Sequence, residues 1–197
     1  MEHITALVLP GLDGSGVLLR EFVDAAPVGF TARALSLPDS CVANYFELAD
    51  RVGSELNGVS ECVLIGESFS GPLAVILAEK YPTIVRHLVL VATFVTPPIS
   101  KVLGIFPWTL IFRCPMPRFA SRLLIGKDSH LLSPLRTAAR TQSAKTKANR
   151  IKLLSEVNVT PQLAKLTCPI TYLQPDFDRL VSEQHCRQVA EANLHVQ

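Results

Sequence analysis

The sequence has no Cys-x-x-Cys pair, no long uninterrupted apolar run and almost no excess of charge. Each absence excludes something. Five cysteines (Cys41, Cys62, Cys114, Cys168, Cys186) are odd in number and widely spread. They read as reduced thiols of a cytoplasmic protein rather than a disulfide frame or a zinc site, and no metal is expected. A formal charge of +2 gives no ground for nucleic-acid binding, and no nucleic-acid fold signature accompanies it. The start, MEHITALVLPG, carries Glu2 where a secretory signal would be positive. The longest apolar candidate, VLGIFPWTLIF (Val102 to Phe112), is broken by Pro107 and falls short of the roughly 20 residues a spanning helix needs. No transmembrane segment is expected. With 48% hydrophobic and 18% charged residues in 197, one folded domain with a real core remains.

Apolar and helical patterns alternate. ITALVLP (4–10), TARALSLP (31–38), ECVLIG (61–66), HLVLVATFV (87–95), ITYLQ (170–174) and the terminal NLHVQ (193–197) read as six strands. Between them, NYFELADRVGSEL puts Tyr45, Leu48, Ala49, Val52 and Leu56 on one helix face, with Asn44 and Glu47 spaced as a capping box. SGPLAVILAEKY and SEQHCRQVAEA supply further helices, the first with Pro72 in its opening turn. Strands alternating with helices predict an α/β fold, a mostly parallel sheet flanked by helices. Residues 96–164 break the rhythm and carry no convincing strand. They read as a helical lid inserted between a core made of 1–95 and 165–197, or as an extra helical layer.

The chemistry concentrates at Gly66-Glu67-Ser68-Phe69-Ser70-Gly71, between an apolar strand and a helical run. A serine hydroxyl is a poor nucleophile unless the protein exposes it, takes its proton and stabilises the oxyanion. A sharp strand-to-helix turn lifts the side chain clear of the sheet and aims helix-N-terminal N–H groups at one point. Strand and helix then approach so closely that the positions two before and two after the serine must be small. Gly66 and Ser70 meet that demand, and Ser70→Gly is expected to be tolerated. Glu67 reads as a local hydrogen-bond acceptor rather than the base.

LVLPGLDGSG, LIGESFSG, HLVLVAT and CPITYLQPDFDRLVS together resemble an α/β-hydrolase of the small carboxylesterase group, which includes the pimeloyl-carrier-protein methyl ester esterases. The resemblance spans nearly the whole chain, reduced at both ends. It implies a serine hydrolase acting on carboxylic esters or thioesters, with Ser68 as nucleophile and no cofactor. It places the oxyanion donors at the N–H groups of Leu12 and Phe69, and the acid that orients the base at Asp178, with Val181 in register and Asp176 as fallback. If the first strand pairs with both the second and the third, these loops flank a topological switch point.

The base is the departure. The family's histidine follows the final strand, and this sequence ends at Gln197 inside the expected one. His195 lies near but within that strand; His185 belongs to the preceding helix; His3 and His87 begin strands at the wrong end of the sheet; His130 is in the lid. The base is therefore unknown, and a chain cut short is the expected cause. The rival is a non-catalytic, base-less module that binds a ligand. The apolar stretch 96–117 reads as an acyl-chain wall or as packing on the core. Arg136, Arg140, Lys145, Lys147, Arg150 and Lys152 run without an intervening acidic residue and read as a solvated face. In the resembling esterases such a face would dock an acidic acyl-carrier protein.

Overall fold

The computed structural model describes residues 4–113, 137, 142–176 and 181–197. Five strands, β1 (Ile4–Leu9), β2 (Phe30–Ala34), β3 (Cys62–Glu67), β4 (Val85–Val91) and β5 (Ile170–Leu173), form one sheet in the order β2-β1-β3-β4-β5. All pairings are parallel. β1 is buried on both faces from Ala6 to Leu9, as a central parallel strand covered by helices must be, while β3 alternates buried with half-buried residues. Because β1 pairs with both β2 and β3, the loops after β1 and β3 leave the sheet at the point where the strand order reverses.

Helices α1 (Arg20–Asp24), α2 (Tyr45–Gly53) and α3 (Gly71–Lys80) alternate with the first four strands. Asn44 caps α2 through its side chain, which accepts from the Glu47 N–H at 3.0 Å. Tyr45, Leu48, Ala49 and Val52 face the core, as their spacing predicts. Helix α3 is apolar all round, and its residues from Gly71 to Ala78 are buried. A helix with no polar face belongs inside, and α3 is the central helix of the fold.

Between β4 and β5 the described residues form helices and no strand: α4 (Lys101–Gly104), α5 (Trp108–Arg113), α6 (Ala144–Glu156) and α7 (Thr160–Leu163). Helix α8 (Glu183–Ala192) follows β5. Val102, Ile105 and Leu110 are 74%, 80% and 61% exposed, so this part of the apolar stretch does not pack on the sheet. Cys114, His3, His130, Arg136, Arg140 and Asp178 lie outside the described residues. Cys41, Cys62, Cys168 and Cys186 are free thiols.

The terminal NLHVQ lies along the edge of β5, where the sixth strand is expected. It makes one parallel bridge, Val196 opposite Ile170, with the Ile170 N–H donating to the His195 carbonyl, the Gln197 N–H to the Ile170 carbonyl and the Tyr172 N–H to the Gln197 carbonyl. Asn193 anchors the start of the segment. Its side chain is buried, donating to the Leu163 and Leu166 carbonyls and accepting from the His195 N–H. The segment is thus anchored by a turn before it pairs with β5.

Candidate functional site

The turn after β3 is strained. Ser68 has φ 48, in the left-handed region that costs an L-residue about 1–2 kcal/mol. The strain persists because the surroundings hold each peptide plane. The Ser68 carbonyl accepts from the Thr93 hydroxyl at 2.5 Å and from the Gly71 N–H. The N–H of Phe69 shares that peptide plane and so points the opposite way, away from Thr93. The Phe69 carbonyl accepts from the Tyr45 hydroxyl at 2.9 Å. Burial pushes the Tyr45 phenol well above its ordinary pKa, which keeps it a donor. Neither Tyr45 nor Thr93 is marked by the local sequence. Tyr45 reads there as one more core residue, and Thr93 as the tail of a strand.

Close approach is equally visible at Gly66. A Cβ there would stand 2.7 Å from the Ala74 Cβ and 2.8 Å from the Ser70 carbonyl oxygen. Only glycine fits between strand and helix at this position.

Ser70 is more than a tolerated small residue. It is fully buried, and its hydroxyl donates to the Pro10 carbonyl at 2.5 Å, joining the turn after β3 to the loop after β1. The expectation that Ser70→Gly is harmless is corrected by this bond. Ser70→Ala leaves the Pro10 carbonyl unpaired in the interior and is expected to lower stability by about 1–3 kcal/mol. Thermal unfolding of the variant checks this, and an unchanged melting temperature would show that the bond contributes nothing.

The loop after β1 is folded on itself by the Gly14 N–H, which donates to the Gly11 carbonyl at 3.1 Å. Gly14 has φ 68, and a Cβ there would collide with the Arg150 guanidinium. Arg150 is 2% exposed, so the solvated reading of the basic run fails at this residue. It donates to the Leu12 carbonyl at 2.8 Å, the Pro38 carbonyl at 3.3 Å and Gln142 Oε1 at 3.0 Å. Burial pulls its pKa down, while the Asp13 and Asp39 carboxylates push it back up. Lys147 stands over the Phe112 ring at 5.9 Å, and Lys152 pairs with Glu156 at 3.9 Å.

Glu67, just before Ser68, lies against Gly11: a Cβ there would be 3.6 Å from Glu67 Oε1. Burial raises its carboxyl pKa and the Asp13 charge adds to that, while the Gly11 N–H hydrogen bond opposes them. It is a local acceptor, as expected, and it crowds the loop that carries Leu12.

His195 is far from the turn. Its carbonyl accepts from the Ile170 N–H, and Ile170 pairs through Leu88 with Leu64, four residues before Ser68. At ~3.3 Å per residue and ~4.8 Å per strand, His195 lies about 20 Å from Ser68, against the ~3 Å a base needs. His87 sits towards the amino end of β4, with Nε2 2.8 Å from the Thr171 hydroxyl. His185 stands in the first turn of α8, with its ring edge-on to Phe94 at 6.4 Å and Nδ1 3.3 Å from the Ser182 hydroxyl. Asp176, in the turn after β5, is exposed. Among the described residues no cluster of His, Cys, Asp or Glu could hold a metal ion. No helix among them is long and apolar enough to cross a membrane.

This is the α/β-hydrolase fold, and solved structures share it over the whole chain. An enol-lactonase from Burkholderia xenovorans LB400 superposes with a TM-score of 0.84 at 12% identity, covering 100% of this chain and 82% of that one. A carboxylesterase structure from Nitrososphaera gargenis gives 0.83 at 12% identity, over 99% and 80%. A thermophilic esterase from Thermogutta terrifontis gives 0.75 at 19% identity, over 100% and 80%. No family model and no curated protein matches the sequence.

Proposed function

We propose that the chain is a serine hydrolase that cleaves carboxylic esters or thioesters through an acyl-enzyme at Ser68. The observation that carries this reading is the left-handed Ser68 between β3 and α3, with its following peptide plane held by Thr93. Such strain is retained where a side chain must be presented clear of the sheet. In this reading the Ser68 hydroxyl oxygen attacks the carbonyl carbon and its proton passes to a base. The N–H groups of Leu12 and Phe69 hold the oxyanion. The alcohol or thiol then leaves with a proton, and water releases the acid and restores the serine. Asp178 orients a histidine. The base has to reach Ser68 at the carboxyl side of the sheet, and none of the described histidines is assigned that role.

Residues 96–164 serve as the helical lid over this site, and their apolar stretch as the wall for an acyl group. Relatedness to the pimeloyl-carrier-protein methyl ester esterases would make an acidic acyl-carrier protein the partner. Lys145 and Lys152 of α6 are exposed and would face it, with Arg150 taken into the interior. A cytoplasmic location completes this reading. The second reading, a base-less binding module of the same fold, is favoured by one observation: the distance of His195 from Ser68.

A fluorophosphonate probe separates them. The expected result is an adduct mapped to Ser68 by mass spectrometry and lost in Ser68→Ala. Labelling that persists in that variant, or that falls on another residue, would overturn the acyl-enzyme reading. His195→Ala is expected to leave the rate within about 2-fold, because no proton transfer reaches across that distance.

A further inference from the structure

We propose that Arg150 is a positioning residue for the oxyanion hole, holding the Leu12 peptide in place from the far side of the loop after β1. The inference rests on the serine-hydrolase reading above and assigns a role within it.

Leu12 is flanked by two peptide planes. The first contains its N–H and the Gly11 carbonyl, which is fixed by the Gly14 N–H at 3.1 Å. The second contains the Leu12 carbonyl, which is fixed by Arg150 Nη1 at 2.8 Å. With both carbonyls held, the Leu12 N–H has one direction left to point. The guanidinium is planar and carries several donors, so one side chain spans three acceptors from separate stretches of chain: Leu12, Pro38 and Gln142. Its Cζ also lies 5.7 Å from the centre of the Phe69 ring. Phe69 supplies the second N–H, so a single buried cation touches both halves of the oxyanion hole. The loop is moulded to it, since any side chain at Gly14 would occupy the guanidinium's place.

A buried arginine bonded to neutral acceptors is a costly way to dock a helix. Its neighbour shows the cheaper way: Asn149 ties α6 to the Val42 N–H and carbonyl at 3.0 and 2.9 Å without any charge. Asn149 is therefore the control. It anchors the same helix and touches neither oxyanion donor.

The test measures the maximal rate and half-saturation of Ser68 phosphonylation by a fluorophosphonate, together with melting temperature. The variants are Arg150→Met, Arg150→Lys and Asn149→Ala. Loss of one oxyanion donor is worth about 10²–10³-fold, so Arg150→Met should lower the maximal rate about 10²-fold with half-saturation within about 3-fold. Arg150→Lys keeps the charge but cannot span three acceptors, and should recover about 10-fold of that loss. Asn149→Ala should keep the rate within about 3-fold whatever its melting temperature.

Arg150→Met labelling at the wild-type rate overturns the inference and leaves the hydrolase reading standing. Equal slowing in Asn149→Ala also overturns it, reducing Arg150 to helix docking. Should Arg150→Met not fold, Arg150→Lys decides: slowing about 10-fold supports the role, and the wild-type rate overturns it. Absence of any Ser68 adduct in the unaltered protein removes the hydrolase reading, and this inference falls with it.

Discussion

Ser68→Gly is expected to fold more stably than the unaltered protein while losing ester hydrolysis by roughly 10³-fold or more. Both effects have one cause. At φ 48 a side chain costs about 1–2 kcal/mol that glycine does not incur, so the protein holds Ser68 in a conformation its own backbone resists. Glycine releases that strain. It also has more freedom to lose on folding, which returns part of the gain, and a net rise of about 1 kcal/mol remains. Ser68→Ala separates the two effects, because alanine keeps the strain and removes the hydroxyl. Its activity should fall as far, with a melting temperature near that of the unaltered protein. The measurement is a pair of thermal unfolding curves beside hydrolysis of a short p-nitrophenyl ester. If glycine is the less stable of the two variants, the turn is not strained in solution. If either variant keeps its activity, Ser68 is not the nucleophile.

The turn was legible because its demands are local. Between Cys62 and Lys80 the pattern changes from a buried strand to an all-apolar helix, and small residues stand where the two elements must touch. Sheet order was legible too, as a condition on β1 that the pairings meet. What the sequence hid is long-range. The bond from Ser70 to Pro10 joins residues 60 apart, and that from Arg150 to Leu12 joins residues 138 apart. No periodicity encodes such contacts. In Arg150 the local signal even pointed the wrong way, since a cation in a basic run reads as solvated. The run is solvated at Lys145 and not at Arg150, because only Arg150 meets a loop whose glycine leaves it room. The alternation of the terminal NLHVQ suits the edge pairing it makes with β5, but the turn before it is long-range too, because Asn193 spends its side chain on the carbonyls of Leu163 and Leu166.

Gly71→Ala is expected to destabilise the protein by about 2–3 kcal/mol, against the sign that helix propensity alone predicts. Gly71 opens α3 with ordinary helical angles, and in an exposed helix alanine there would be favoured by up to about 1 kcal/mol. The packing reverses this. A Cβ at Gly71 would run into the Thr93 side chain, meeting its Oγ1 and approaching its Cβ to 2.6 Å. Thr93 is fully buried and cannot swing aside without surrendering its bond to the Ser68 carbonyl. Overpacking of this kind costs about 1–3 kcal/mol, and the lost hydrogen bond about 1 more. The same displacement removes one of the two bonds that hold the Ser68–Phe69 peptide plane, leaving the Gly71 N–H, so ester hydrolysis should fall by up to about 10²-fold, the effect of a lost oxyanion donor. Thr93→Ala in the Gly71→Ala background removes the two nearest colliding atoms, Oγ1 and Cγ2, and leaves the closer-than-normal Cβ contact and the loosened peptide. Stability should then recover by about 1–2 kcal/mol in a double-mutant cycle, while activity stays low. A Gly71→Ala protein as stable as the unaltered one would mean that α3 and Thr93 are not in contact. Activity that recovered along with stability would mean that Thr93 fills space beside Ser68 and does not orient it.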